Sequence, residues 1–109
     1  LRAVFTDYIG LIASTDKRKQ LLEHITEVSF ELTSLTIAES IPVVAICKLN
    51  RDNEEEIPKL SDLRNSGSIE QDADAVILLH RESRKSEDGK VLVPKCRNGR
   101  TGQFQIGVD

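Results

Sequence analysis

The chain has 109 residues, 39% hydrophobic and 30% charged, which suits one globular domain with a modest core and excludes wholesale disorder. A net charge of −3 argues against generic nucleic-acid affinity, and 4% aromatic residues with no Trp argue against a stacking platform for single strands. Cys47 and Cys96 lack CxxC spacing, so neither a disulfide framework nor a zinc site is implied, and a reducing intracellular setting fits. No apolar run is long enough to span a membrane, and the N-terminus lacks a signal-peptide layout. The opening "LRAVFTD", without Met and already strand-like, reads as part of a longer protein.

In chain order, "RAVFTDY" predicts a short strand ending at Asp7. Ser14, Thr15 or Asp16 then offers an N-cap. Leu21, Leu22, Ile25, Val28, Leu32 and Leu35 recur at helical spacing, so an amphipathic helix is expected to reach about Glu39. Ser40 and Pro42 end it, and "PVVAIC" predicts a strand covered on both faces. A polar loop follows over 48–60, then short helical turns in "SDLRNSG" and "SIEQDA". "DAVILLHR" predicts another fully buried strand. Last, "KVLVPKC" and "GQFQIGV" flank the turn signal Asn98-Gly99 as an antiparallel hairpin, its second strand alternating as a half-buried one does. Pro94 places the first of the two at an edge or a bulge.

Strand, helix, strand and a third buried strand predict an α/β unit: a parallel sheet with covering helices, plus a C-terminal antiparallel hairpin. Ligands of such sheets collect at the carboxyl ends of the strands, which here carry Asp7, then Lys48 and Asn50, then His80 and Arg81. A carboxylate, a cation and polar groups on one rim suit a nucleotide–magnesium site.

Each motif has two readings. Asp7 either holds Mg²⁺, directly or through water, or caps the turn after its strand. Lys95 and Arg97 leave the same face of their strand and either reach a neighbour's nucleotide or are surface cations. Glu70, Asp72 and Asp74 suggest a two-metal nuclease, against which stands their use in finishing a helix and starting a strand. His24, among solvated residues, and His80, at a strand end, lack a ligand partner and read as structural; Cys47 is expected buried and inert. The 109 residues contain no GxxxxGK[ST] phosphate cradle. Eight acidic residues between Asp52 and Asp74 stand against Lys59 and Arg64, whereas Lys90, Lys95, Arg97 and Arg100 face only Asp109. Such a split suits a head-to-tail contact or a phosphate ligand at the basic end, or simply two solvated faces.

"VFTDYIGLI", "IPVVAICKLNR", "SDLRNSGSIEQDADAVILLHR" and "KCRNGRTG", in this order and at this spacing, closely resemble the C-terminal part of the ATPase domain of DnaB-type replicative DNA helicases. The resemblance runs from Ala3 to Val108, with "DLRNSGSIEQDAD" its most specific stretch. It implies a RecA-like fold, of which residues 1–109 form the C-terminal half without the Walker A half. It also implies a homo-hexamer around single-stranded DNA, using ATP and Mg²⁺ at each subunit interface. Asp7 becomes the Walker B acid and magnesium holder. Lys95 and Arg97 become the trans-acting pair, Lys48 and Asn50 contact nucleotide, and Arg64, Asn65 and Gly67 line the DNA channel. Primase and a helicase loader are the implied partners, with no membrane, in the cytoplasm of a bacterium or the replication machinery of a plasmid or phage.

Four positions depart from the family's usual pattern. Lys48 stands for Gln at the γ-phosphate-sensing place, Asn65 for Glu in the channel loop and Gly10 for Gln, and Cys96 lies between the trans cations. The implied parent enzyme is an ATP-dependent helicase of which this chain alone is inactive. A non-catalytic RecA-like assembly or adaptor module, and a recombinase-like ATPase, are the alternatives.

Overall fold

The computed structural model describes residues 3–9, 21–49, 56–66 and 68–108, the side chains of 21, 22 and 64–66 excepted. The expected N-caps at 14–16, Gly10, and the loop residues 50–55 fall outside them. Strand β1 (Val4–Thr6) leads to helix α1 (Leu21–Glu39) and strand β2 (Val43–Ala45). The two strands pair in parallel, Val4 opposite Val43 and Thr6 opposite Ala45. This is the predicted strand–helix–strand unit, but β2 is not covered on both faces as expected: Val44 is 46% and Ile46 47% exposed, so its apolar run marked a strand and not two-sided cover. Pairing continues past the strand ends, since Ile46 N donates to Thr6 O at 2.9 Å and Ile9 N to Ile46 O at 2.8 Å.

Helix α1 buries a stripe shifted from the predicted one. His24, Ile25, Val28 and Ser29 are inside, while Leu35 is exposed. His24 is therefore not among solvated residues as expected. Its neighbour Ile25, the next position of the apolar period, carries it onto the packed face. The helix ends at Ser40, whose φ of 52° is the left-handed turn-off that closes many helices.

The two predicted helical turns are present, a 3₁₀ helix over Leu60–Ser66 and a short helix α2 over Ile69–Asp72. Asp62 starts the first, because its Oδ2 accepts from Lys59 N at 2.8 Å while its own N donates back to Lys59 O. The carboxylate reaching back to the Lys59 N–H is one half of a capping box, and the return bond is the ordinary backbone bond of a 3₁₀ turn.

Strands β3 (Ala75–His80), β4 (Asp88–Cys96) and β5 (Gly102–Gly107) form a separate antiparallel sheet in the order β3-β4-β5. The third strand thus differs from expectation twice. It pairs with the hairpin rather than with the parallel strands, and it is not buried on both faces. Val76, Leu78 and His80 are buried, but Ile77 is 64% and Leu79 68% exposed. A continuous apolar run reads as two-sided cover, yet among the described residues only one face of β3 is packed. The last strand is more open than its alternation predicts, with every residue of β5 exposed, as suits the edge of this sheet. β4 begins at Asp88, two residues before the predicted run. Its Pro94 falls in the register shift between Val76 and Leu78 and beyond the last β5 pair, Val93–Gly102. The bulge alternative holds, in a central strand.

Leu63, Val76 and Leu78 form the buried cluster, with Cys47, Leu49, Leu60, Ala73 and Leu92 packed around it. Burying side chains such as Leu63 and Leu78 stabilises by roughly 1.5–3 kcal/mol each. Cys47 is half-buried rather than buried, being at the rim of this cluster. The cluster anchors the 3₁₀ helix against β3 through Leu63. It therefore fixes the backbone at Arg64 and Asn65, the next two positions.

Candidate functional site

The carboxyl end of the parallel pair carries the first group of predicted residues. Asp7 follows β1 directly and is exposed. Among the described residues no hydrogen bond or ion pair engages its carboxylate. Lys48, three residues beyond β2, places its Nζ 4.6 Å from the centre of the Tyr8 ring. Within this distance a ring face attracts a cation. One strand end therefore supplies a carboxylate, the other a lysine, and Tyr8 joins them. Asn50 lies outside the described residues. Tyr8 was not singled out in the sequence, since no spacing rule connects it with a lysine forty residues away.

Lys95 and Arg97 sit elsewhere, at the end of β4 that pairs with the start of β3. Lys95 Nζ donates to the backbone carbonyls of Glu70 at 2.7 Å and Gln71 at 3.2 Å. Those oxygens belong to α2, and a cation there offsets the negative end of the peptide dipoles. Arg97 forms an ion pair with Asp74, and its backbone N donates to Asp74 O at 2.8 Å. Among the described residues no hydrogen bond or ion pair joins Lys95 or Arg97 to the Asp7–Lys48 rim.

The carboxylates around α2 have structural partners. Asp72 Oδ2 accepts from Ser29 Oγ at 2.8 Å and from Ser68 Oγ at 2.7 Å, tying α1 to α2 and to the residue after the channel segment. Ser29 is buried. Asp72→Ala would leave its hydroxyl unsatisfied, so a loss of about 1–3 kcal/mol in unfolding free energy is expected by denaturant titration. Asp72→Asn, which keeps one carbonyl acceptor, is expected to lose less. Asp72 and Asp74 thus serve different partners, as the structural alternative to a paired-metal site has it.

Arg64 and Asn65 lie on the 3₁₀ helix, where their backbone is described; Gly67 lies outside the described residues. His80 and Arg81, placed with Asp7 and Lys48 on one rim by the parallel-sheet expectation, are not there. His80 pairs with Lys90, at the far end of β3 from the Val76–Lys95 pair, and Arg81 Nε donates to Ser86 O at 2.7 Å. The antiparallel course of β3 and β4 sends them to that end. His80 lines a cleft of about 320 Å³ with Glu82, Glu87, Asp88 and Lys90, and neither ring nitrogen has a hydrogen-bond partner. Three carboxylates make this cleft a poor match for phosphate.

The model of the DnaB-like helicase C terminal domain matches residues 1–109, the whole chain. The chain belongs to that family. A replicative DNA helicase DnaB of Leifsonia xyli is 42% identical over 97% of this chain, which spans 25% of that relative. One from Treponema pallidum is 37% identical over 97% of it, spanning 24% of the relative. The chain thus covers about a quarter of the length of these DnaB relatives. A solved DnaB-like replicative helicase, described together with its interactions with primase, superposes at a TM-score of 0.85 with 29% identity. It covers 96% of this chain, and the chain covers 28% of it. The DnaB-like fold here is RecA-like, α/β, with the parallel β1–β2 unit and the antiparallel β3–β4–β5 sheet as its parts.

Proposed function

We propose that the chain is the C-terminal half of the motor domain of a replicative DNA helicase, which uses ATP to translocate on single-stranded DNA and unwind duplex. The observation that carries this reading is the separation of two half-sites. Asp7 and Lys48 share one strand-end rim, while Lys95 and Arg97 are held against α2 and Asp74. A nucleotide shared between adjacent copies needs both halves, one from each. Head-to-tail repetition then closes a ring, and we take the ring to be a homo-hexamer.

In that ring Asp7 holds Mg²⁺, directly or through water. An exposed carboxylate at a strand end, free of other partners among the described residues, fits a hard cation with oxygen ligands. The bound ion supplies neutralisation of charge on the phosphates. Lys48 offers its ammonium to the terminal phosphate as a point charge and is steadied by Tyr8; Asn50 is proposed as a second nucleotide contact. Arg97, with Lys95 as companion, approaches the neighbour's nucleotide. Arg64, Asn65 and Gly67 face the channel, where polar and backbone groups meet the sugar–phosphate track without reading sequence. The 109 residues contain no phosphate cradle, so the isolated chain is not expected to hydrolyse ATP. Primase and a helicase loader are its proposed partners, in the cytoplasm of a bacterium or in plasmid or phage replication.

One observation favours a second reading, a ring-forming adaptor without turnover. Lys48 occupies the γ-phosphate-sensing place of the family and is already engaged with Tyr8. ATP turnover by the full-length natural product, with and without single-stranded DNA, decides between the two. Turnover stimulated by DNA is expected. A folded, ring-forming protein without turnover would overturn the motor and leave the adaptor.

A further inference from the structure

Lys48 brings a cation to the same rim as the carboxylate that holds the metal in the proposed site. A lysine beside an exposed carboxylate competes with any divalent cation for the carboxylate oxygens. Asp7 and Lys48 are both exposed, yet among the described residues no ion pair joins them. The Lys48 ammonium lies instead over the ring of half-buried Tyr8, 4.6 Å from its centre.

The backbone keeps ring, carboxylate and lysine close together. Ile46 donates from its N to Thr6 O and accepts at its O from Ile9 N, so the two bonds of one residue bracket Asp7 and Tyr8. That pair is pinned at both ends against the strand that leads, two positions on, to Lys48. A ring face at this distance and an exposed carboxylate attract an ammonium with similar strength. The ring is therefore enough to decide where Lys48 rests. It does not lock the lysine there, because a terminal phosphate offers the ammonium charge-assisted hydrogen bonds that a ring cannot.

We propose that Tyr8 is a positioning residue of the metal site: its ring face holds the Lys48 ammonium and keeps it from pairing with Asp7, which leaves that carboxylate open to a divalent cation. The proposal rests on the reading of Asp7 as the magnesium holder. It gives Tyr8 a task that exists only because position 48 is a lysine. With an amide at that position there is no cation to keep away, and the ring becomes dispensable for metal binding.

The test titrates Mn²⁺ into the full-length natural product saturated with ADP, which has no terminal phosphate to draw Lys48 away, and reads the free ion by electron paramagnetic resonance. Tyr8→Leu is expected to raise the half-saturating Mn²⁺ concentration about twofold to fivefold, the size of an exposed cation–ring contact. Tyr8→Phe keeps the ring face and is expected to bind Mn²⁺ as the parent does. Should the leucine variant not fold, Tyr8→Met fills more of the ring's space and takes its place. The decisive comparison repeats the ring substitution in a Lys48→Gln background, where it is expected to leave Mn²⁺ binding unchanged. A purely structural role for Tyr8 weakens binding equally in both backgrounds and overturns the proposal, as does a ring substitution without effect in either. Asp7→Asn separates the two levels. If that variant binds Mn²⁺ as the parent does, the metal-holding reading of Asp7 fails and the role of Tyr8 fails with it. If it binds weakly while the ring substitution fails the comparison, the role of Tyr8 alone is overturned.

Discussion

Arg97→Ala in the full-length protein is expected to lower ATP turnover by about 10³-fold or more, the effect that trans-acting arginines have in other nucleotide hydrolases. Charge spreads over the transferred phosphoryl group in the transition state, and a planar guanidinium can meet two of its oxygens at once. The loss is not a folding effect. The side chain is 57% exposed and its one ion-pair partner is exposed as well, so its removal costs no more than about 1 kcal/mol of stability. The melting temperature of the variant is accordingly expected to stay near that of the parent. Lys95→Ala is expected to behave differently, lowering turnover and the melting temperature together, because it strips two carbonyls of α2 of their donor. A mixing experiment shows on which subunit the arginine acts. Arg97→Ala protein combined with a variant lacking the Asp7 carboxylate contains interfaces where one copy supplies Asp7 and the other Arg97. Recovered turnover is the trans result. A mixture as inactive as its components, in rings shown to be mixed, would sink it.

The strand–helix–strand unit was legible because each element carries its own local signal. "VFT" and "VVA" are short β-branched or apolar runs, and Ile25 and Val28 keep the helical period. The two short helical turns were legible from the sequence, but their starts were not: Asp62 closes the first by a side-chain bond from Lys59 N, and Ser68 makes no side-chain cap on the second. Partner choice was not legible. "AVILLH" looks alike whether it joins a parallel sheet or a hairpin, since pairing is set by distant residues and not by the run itself. Burial on one face was equally hidden, because Ile77 and Leu79 are as apolar as Val76 and Leu78. The candidate site divides in the same way. Strand alternation led to the expectation that Lys95 and Arg97 share a face, but β4 ends at Cys96 and Arg97 lies in the turn beyond it, and the partners of the two were not legible. The anion beside Arg97 proved to be Asp74, more than twenty positions earlier in the chain, which only the β3–β4 register brings opposite. The Lys48–Tyr8 contact is of the same kind, a product of parallel pairing between strands separated by a helix.

Asp7→Asn is expected to abolish most turnover while sparing the ring, single-stranded DNA binding and nucleotide binding at high concentration. A carboxamide is nearly the same size but carries no charge, so it holds a divalent cation far less well. A metal ion's stabilisation of phosphoryl transfer amounts to several kcal/mol, so a loss of about 10³-fold is expected. The fold should not register the change, for Asp7 is exposed and its carboxylate has no hydrogen-bond or ion-pair partner among the described residues. β1 is held instead by its backbone pairing with β2, which runs on past the substitution through Ile9 and Ile46. The alternative role, a cap on the turn after the strand, predicts the reverse: a fall in melting temperature with turnover kept within a few-fold. Measuring both on the same preparation separates them, and titrating Mg²⁺ sharpens the result. A metal holder weakened by the amide shifts the half-saturating Mg²⁺ concentration upward before the maximal rate is lost. A cap leaves that concentration where it was.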